Sequence, residues 1–348
     1  MRELREVYRG GKGVAQLYDF EEETVRRFLK QREVKRAAVQ VPAGLKQYLS
    51  KITPAFEDVG VEVLVLAGSC YGACDLADVK ARQLGCDVLI HYGHADIGLP
   101  TCLPTLYVEA RMKVDPSDVI KQALLEVKFR RLGLVTTVQH IGYLTKVAEL
   151  LRAGGIDVVI GKPGFMAKYP GQVLGCDLGC ARSIAGRVDG FLYIGTGEFH
   201  PLGVALATDK RVLATNPVSG GLKALAPDVG IFLQRRKAMI ARATAGERFG
   251  VIVSTKPGQA RFKLAMKLVG ELKRAGKVAH VLVVDEVGPE ELGDFGLDGL
   301  ICAACPRIPI DDAERFERPI LTPFEARVML GKTKFEPYQM DGAIKEDF

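Results

Sequence analysis

Residues 250–256 read GVIVSTK, a short β-branched run that ends in a polar turn ahead of Pro257-Gly258. Two other stretches open the same way, RAAVQVP at 36–42 and LGLVTTV at 132–138. Apolar runs of this length, closed by turn residues, read as strands buried on both faces of a parallel sheet. Behind each lies an amphipathic stretch at helical spacing, over 45–59, 142–153 and 260–275. In the last, Phe262, Leu264, Ala265, Leu268, Val269 and Leu272 recur on one side, with lysines and arginines between them.

Each helix then meets glycine and a second strand: GVEVLVLAG (60–68), GGIDVVIG (154–161) and GKVAHVLVVDE (276–286). Gly60, Gly154 and Gly276 fall where a helix C-terminus favours a residue tolerant of positive φ. A third strand follows at 86–93 (CDVLIHYG), 188–195 (VDGFLYIG) and 297–304 (LDGLICAA), and a fourth at 104–110 (PTLYVEA), 210–217 (KRVLATNP) and 318–326 (RPILTPFEA). The order recurs three times at a spacing of roughly 100 residues, the mark of internal repetition. Strands alternating with helices imply parallel sheets flanked by helices. The expected fold is therefore α/β: three similar units, 1–114, 115–222 and 223–348, in a pseudo-threefold arrangement. Residues 20–33 read as a further amphipathic helix on the first unit, and the tail from Gly331 as polar and loosely held.

The chain has 348 residues, 48% of them hydrophobic and 26% charged, an ordinary globular balance. No apolar run approaches the roughly 18–20 residues that span a bilayer. The basic N-terminus has no apolar segment behind it, so no secretory signal is expected and the cytoplasm is the expected compartment. A net charge of +6 is too small and too evenly spread to argue for nucleic acid.

Eight cysteines need an account in a compartment that disfavours disulfides. Cys74 lies in GSCYGACDLAD (68–78), between the second and third strands of unit one, and Cys176 in GQVLGCDLGC (171–180), the same connection of unit two. Cys305, in ICAACPR (301–307), follows the third strand of unit three. Open α/β sheets place ligands at loops beyond the carboxyl ends of their strands, so three units about one axis can aim these loops at one point. Spacing alone leaves Cys70 beside Cys74 and Cys180 beside Cys176 as alternatives. Cys86 and Cys302 sit in apolar strands and read as core. Four thiolates would suit a structural zinc, whereas three would leave one iron of a four-iron cluster open.

At these motifs the sequence resembles the 2-(3-amino-3-carboxypropyl)histidine synthase family, archaeal radical enzymes of diphthamide biosynthesis. The passages that carry the resemblance are YGACDLAD (71–78), HYGHA (91–95), GQVLGC (171–176), GTGEFHPLG (195–203), ACPRIPIDD (304–312) and LTPFEA (321–326). The resemblance implies a triplicated α/β fold around a central [4Fe–4S] cluster held by Cys74, Cys176 and Cys305. It leaves Cys70 and Cys180 without a family role. It also implies that S-adenosylmethionine is cleaved at its sulfur–Cγ bond. The 3-amino-3-carboxypropyl group then passes to C2 of a histidine on elongation factor two. A homodimer and an external electron donor belong to the same expectation, and no catalytic side chain is expected beyond the cluster.

Other residues are candidates for the cosubstrate pocket. Gly195 and Gly197 either let the cosubstrate approach the backbone or make a tight turn. His94 and His200 sit where loops could line the pocket, and His91 reads as buried on the sheet. Gln259 follows a turn before a helix start, where free N–H groups could take a carboxylate. The competing readings are a zinc-stabilised scaffold and a non-catalytic electron relay.

Overall fold

In the computed structural model, which describes residues 17–293 and 295–342, each of the three runs becomes an inner strand of its own sheet. The first sheet holds β1 (Arg36–Gln40), β2 (Glu62–Leu66), β3 (Val88–Tyr92) and β4 (Thr105–Val108), in the order β2-β1-β3-β4. The second holds β5 (Arg131–Thr136), β6 (Asp157–Val159), β7 (Gly190–Ile194), β8 (Arg211–Thr215) and β9 (Leu222–Ala224), in the order β6-β5-β7-β8-β9. The third holds β10 (Arg248–Ser254), β11 (Val278–Val284), β12 (Gly299–Cys302) and β13 (Ile320–Leu321), in the order β11-β10-β12-β13. All pairings are parallel except β8 with β9. In each unit the first strand thus sits between the second and the third, and the chain changes direction across the sheet at that point. This is the crevice where α/β sheets bind ligands.

Burial explains the composition. The third strands β3, β7 and β12 are buried at every position, and β1, β5 and β10 at all but their first residue. The edge strand β2 is half exposed. One polar device is repeated three times. The aspartate before each third strand accepts two backbone N–H groups at the start of the first. Asp87 takes those of Lys35 and Arg36, Asp189 those of Arg130 and Arg131, and Asp298 those of Glu247 and Arg248, all at 2.8–3.1 Å. Each aspartate sets the stagger of the two inner strands. Arg36 then pairs with Glu62 and Arg131 with Asp157, their neighbours in register. Arg248 faces Val278 in register, so it turns to Asp298 instead.

Several expected elements differ. The stretch over 45–59 is a 3-10 turn (Lys46–Tyr48) and two short helices (Leu49–Ile52 and Pro54–Glu57), because Pro54 has no N–H to continue the first. The helix of unit two starts only at Leu144, after a 3-10 segment over Val138–Tyr143. Positive φ occurs at Gly60 and Gly276 as expected, but in unit two at Gly155 (85°) and not at Gly154 (−81°). The fourth strand of unit three lasts two residues. Thr322 caps Glu325 N–H while the Glu325 carboxylate accepts Thr322 N–H, and this capping box starts the helix Pro323–Met329. The antiparallel β9 was not anticipated, and a unit boundary at 222 would cut through it. The helix expected over 20–33 spans Glu22–Gln31.

The tail is not loose as far as residue 342. Tyr338 and Met340 are buried in the core of the second unit, where the Tyr338 ring meets Phe232, Phe324 and Phe335 edge-on. Asp341 pairs with the buried Arg261 at 2.6 Å. Beside them Arg236 forms a buried fork with Glu325 and also donates to the Pro309 and Ile320 carbonyls. The start of the first expected unit, 1–16, and the last part of the tail, 343–348, lie outside the described residues.

Candidate metal centre

Cys74, Cys176 and Cys305 are brought together. Burial raises all three thiols first; the Cys176 thiol is then raised further by Cys74 and Cys305, and the Cys305 thiol, pushed up to about 12, by Cys74. Each is half-buried, open in part to solvent, yet deep enough in the protein for desolvation to dominate its thiol. What they face is therefore an internal recess.

Each cysteine has a local reason for its position. Cys74 packs against the third unit, where Gly258 N–H donates to its carbonyl at 2.9 Å and Gln259 Nε2 to its sulfur at 3.4 Å. Cys176 sits in a tight turn closed by mutual backbone bonds between Leu174 and Asp177. The buried Asp177 carboxylate accepts the N–H groups of Met166, Ala167 and Gly179, fixing that turn. Met166 Sδ lies 4.0 Å from Cys176 Sγ. Cys305 precedes the short helix Arg307–Asp311; Ile308 N–H donates to its carbonyl at 3.2 Å, and the adjacent Arg307 backbone and charge hold the thiol below where burial alone would put it.

The other cysteines have partners of their own, although Cys70 lies near enough to Cys74, and Cys302 to Cys305, for its thiol, raised first by burial, to be raised further by that neighbour. Cys86 and Cys302 are core residues as expected. Cys180 is fully buried with its sulfur on the Gly161 carbonyl, and Cys70 turns toward His91 and His94. A signal in the sequence could have made the choice. Cys-Asp-Leu occurs at 74–76 and again at 176–178, and both leucines and both aspartates are buried.

The pocket candidates fall in different places. His200 stacks on Tyr193, with ring centroids 6.2 Å apart and planes at 9°, and burial and nearby Arg307 lower its pKa to about 4. Arg307 lies over the Phe199 ring at 4.5 Å. His94 is lowered to about 4, again by burial. His91 is fully buried on β3 as expected. Gly195 and Gly197 both carry positive φ, 154° and 77°, so they serve as turn residues, and nothing stands over Gly197. Gln259 does not open the long helix. It ends a 3-10 turn (Pro257–Gln259), the helix proper starts at Phe262, and its amide is committed to Cys74.

One cluster was missed. Lys256 is 6% exposed and bridges Asp75 at 3.2 Å and Glu286 at 2.8 Å, with its ammonium over the Tyr71 ring. It ties the Cys74 loop to the third unit.

A three-unit α/β protein whose loops bring one cysteine each to a shared recess is the class that fold and site define. A family model described as "Putative diphthamide synthesis protein" matches residues 41–339. The chain belongs to this diphthamide synthesis family. It is similar to the 2-(3-amino-3-carboxypropyl)histidine synthase of Pyrococcus horikoshii, 37% identical over 93% of this chain and 94% of the relative. It is also similar to subunit 1 of the Schizosaccharomyces pombe synthase, 32% identical over 94% of this chain and 77% of that one. The crystal structure of Dph2 from Pyrococcus horikoshii with a 4Fe-4S cluster superposes with a TM-score of 0.87, covering 93% of this chain and 94% of that chain at 37% identity.

Proposed function

We propose that the chain is a 2-(3-amino-3-carboxypropyl)histidine synthase that holds a [4Fe–4S] cluster on Cys74, Cys176 and Cys305. Its cosubstrate is S-adenosylmethionine, and its target is C2 of a histidine imidazole on elongation factor two. The observation that carries this reading is the set of three thiols, one from each unit, facing one recess. Their spacing supports a cluster over a single ion. Among the described residues, the His, Cys, Asp and Glu set whose donor atoms all lie within 4.8 Å is Cys70, His91 and His94, and the three thiols are not such a set. A tetrahedral zinc with bonds of about 2.3 Å to sulfur would draw its thiolates within about 4 Å of one another. Three thiolates suit a four-iron cube with one iron left for a cosubstrate, and the Pyrococcus relative was solved with a 4Fe-4S cluster.

When bound, the cluster supplies the electron that splits the sulfur–Cγ bond, leaving methylthioadenosine and a 3-amino-3-carboxypropyl radical. The chain's own groups hold and shield. Gln259 Nε2–H on Cys74, and the Arg307 backbone and charge beside Cys305, stabilise thiolate charge and thereby tune the potential. His200 is neutral at pH 7, so it offers hydrogen bonds without repelling a sulfonium. Gly197 presents bare backbone, which permits close approach of adenosine or carboxylate, whereas Gly195 lies against the Tyr193 ring and shapes the turn. Elongation factor two, an external one-electron donor, a homodimeric state and a cytoplasmic setting complete the reading. No described helix is long and apolar enough to cross a membrane.

The test is turnover by the reduced chain alone with S-adenosylmethionine and elongation factor two, without oxygen. Methylthioadenosine and a modified histidine are expected. Appearance of 5′-deoxyadenosine, or no cleavage by cluster-loaded protein, would overturn the assignment.

A further inference from the structure

Cys70, His91 and His94 make a group that includes none of the three thiols, with donor atoms that all lie within 4.8 Å of one another. Their side chains come from two places. Cys70 lies in the loop between β2 and the helix Asp78–Gln83, while His91 is the penultimate residue of β3 and His94 follows the strand across Gly93, whose φ of 88° turns the chain back. His91 Nε2 and His94 Nδ1 face each other at 3.0 Å.

The tautomer of His91 follows from its neighbours. Gln40 Oε1 accepts Ala77 N–H at 3.2 Å, and Gln40 Nε2 donates to Asp75 O at 2.6 Å, so Oε1 is an acceptor. His91 Nδ1, 2.9 Å from Oε1, must then carry the proton, which leaves the Nε2 lone pair pointing at His94. An outer carbonyl that fixes the far nitrogen of a ligating imidazole is the usual companion of a metal-bound histidine. Burial keeps both rings neutral, the ligating form. A tetrahedral zinc separates two imidazole nitrogens by about 3.3 Å and a nitrogen from a thiolate by about 3.6 Å. The two rings are already near that spacing, and an ion would replace the proton they share.

We propose that Cys70, His91 and His94 form a second metal site, one that takes a divalent cation of zinc's character with solvent in the fourth position. One sulfur with two imidazoles favours zinc over hard cations such as magnesium. The site stands whether or not the three-thiol recess holds a cluster, and it reassigns His94 from the cosubstrate pocket to an ion. It also gives Cys70 a role. Because Gln40 holds both His91 and the Asp75 carbonyl, the ion would brace the loop that carries Cys74.

The test is zinc content of the full chain purified without oxygen and supplied with Zn(II), with X-ray absorption at the zinc edge. The expected result is about one zinc per chain that survives mild chelation, with one sulfur and otherwise nitrogen or oxygen ligands. Cys70→Ser and His94→Ala should each weaken zinc retention roughly ten-fold or more while lowering iron content far less than Cys74→Ala does. Co(II) taken up in place of zinc should show a sulfur-to-cobalt charge-transfer band that Cys70→Ser abolishes. No retained zinc in the wild-type chain overturns the proposal. So does zinc bound to three sulfurs and lost in Cys176→Ala, because the ion would then occupy the recess. The sulfur count separates the two sites at any iron content.

Discussion

Replacing Gly258 with alanine would put a methyl group into space that Cys74 occupies. A Cβ on Gly258 would lie 2.5 Å from Cys74 Cβ, 2.6 Å from its Cα and 3.1 Å from Leu99 Cδ1. Carbon atoms in contact sit about 3.5–4.0 Å apart, so something must move by roughly 1 Å. Neither neighbour yields easily, because Gly258 N–H is bonded to the Cys74 carbonyl and the next residue to its sulfur. Overpacking of this kind costs about 1–3 kcal/mol, and loss of the backbone bond about 1 kcal/mol more. On the proposed assignment the larger consequence is functional, since a Cys74 thiolate displaced by an ångström would no longer meet its iron. The assay is iron and sulfide per chain after anaerobic assembly, with thermal unfolding of the same samples. Gly258→Ala should lower both iron content and Tm. Gly230→Ala, in the exposed face of the helix Ala226–Thr244 with open space at its Cβ, should keep full iron and equal or higher stability. Wild-type iron and Tm in Gly258→Ala would refute the contact between the 257–259 turn and Cys74.

Three further outcomes follow from the fold. Glu325→Ala strands the buried Arg236 guanidinium and should cost about 3–5 kcal/mol in denaturant unfolding. His140 and His200 titrate near pH 4 in the folded chain and near 6.5 when unfolded. The unfolded chain therefore binds more protons in that window, so stability is fully present above about pH 6.5 and is lost as pH falls toward 4; unfolding midpoints across pH check the slope. A chain ending at Gly331 removes Tyr338, Met340 and the Arg261–Asp341 pair, and should show a lower Tm and faster proteolysis of the second unit.

The sequence showed the threefold order of strands because buried parallel strands are continuous apolar runs, and Gly60 and Gly276 marked their helix ends. It concealed the third unit's last strand, because the apolar Ile320-Leu321 run continues into Thr322-Pro323-Phe324-Glu325. That tetrapeptide is itself a capping-box pattern and could have been read as a helix start. The tail read as loose because Tyr338 and Met340 are isolated apolar residues in a polar stretch, and only tertiary packing reveals that they fill a gap between units. At the site, spacing offered Cys70 and Cys74 equally. Side-chain direction separates them: Cys74 meets Gln259 of another unit, and Cys70 meets two histidines of its own. The Asp75–Lys256–Glu286 bridge spans about three-fifths of the chain and has no local period to betray it.

Iron and acid-labile sulfide counted per chain in anaerobically assembled protein, for the wild type and for Cys74→Ala, Cys176→Ala and Cys305→Ala, test the convergence of the three thiols most directly. The account predicts about four of each per wild-type chain, with a brown colour bleached by dithionite and a sharp loss in every one of the three variants. Protein that stays colourless, or that keeps its iron when any one of these thiols is removed, would contradict it.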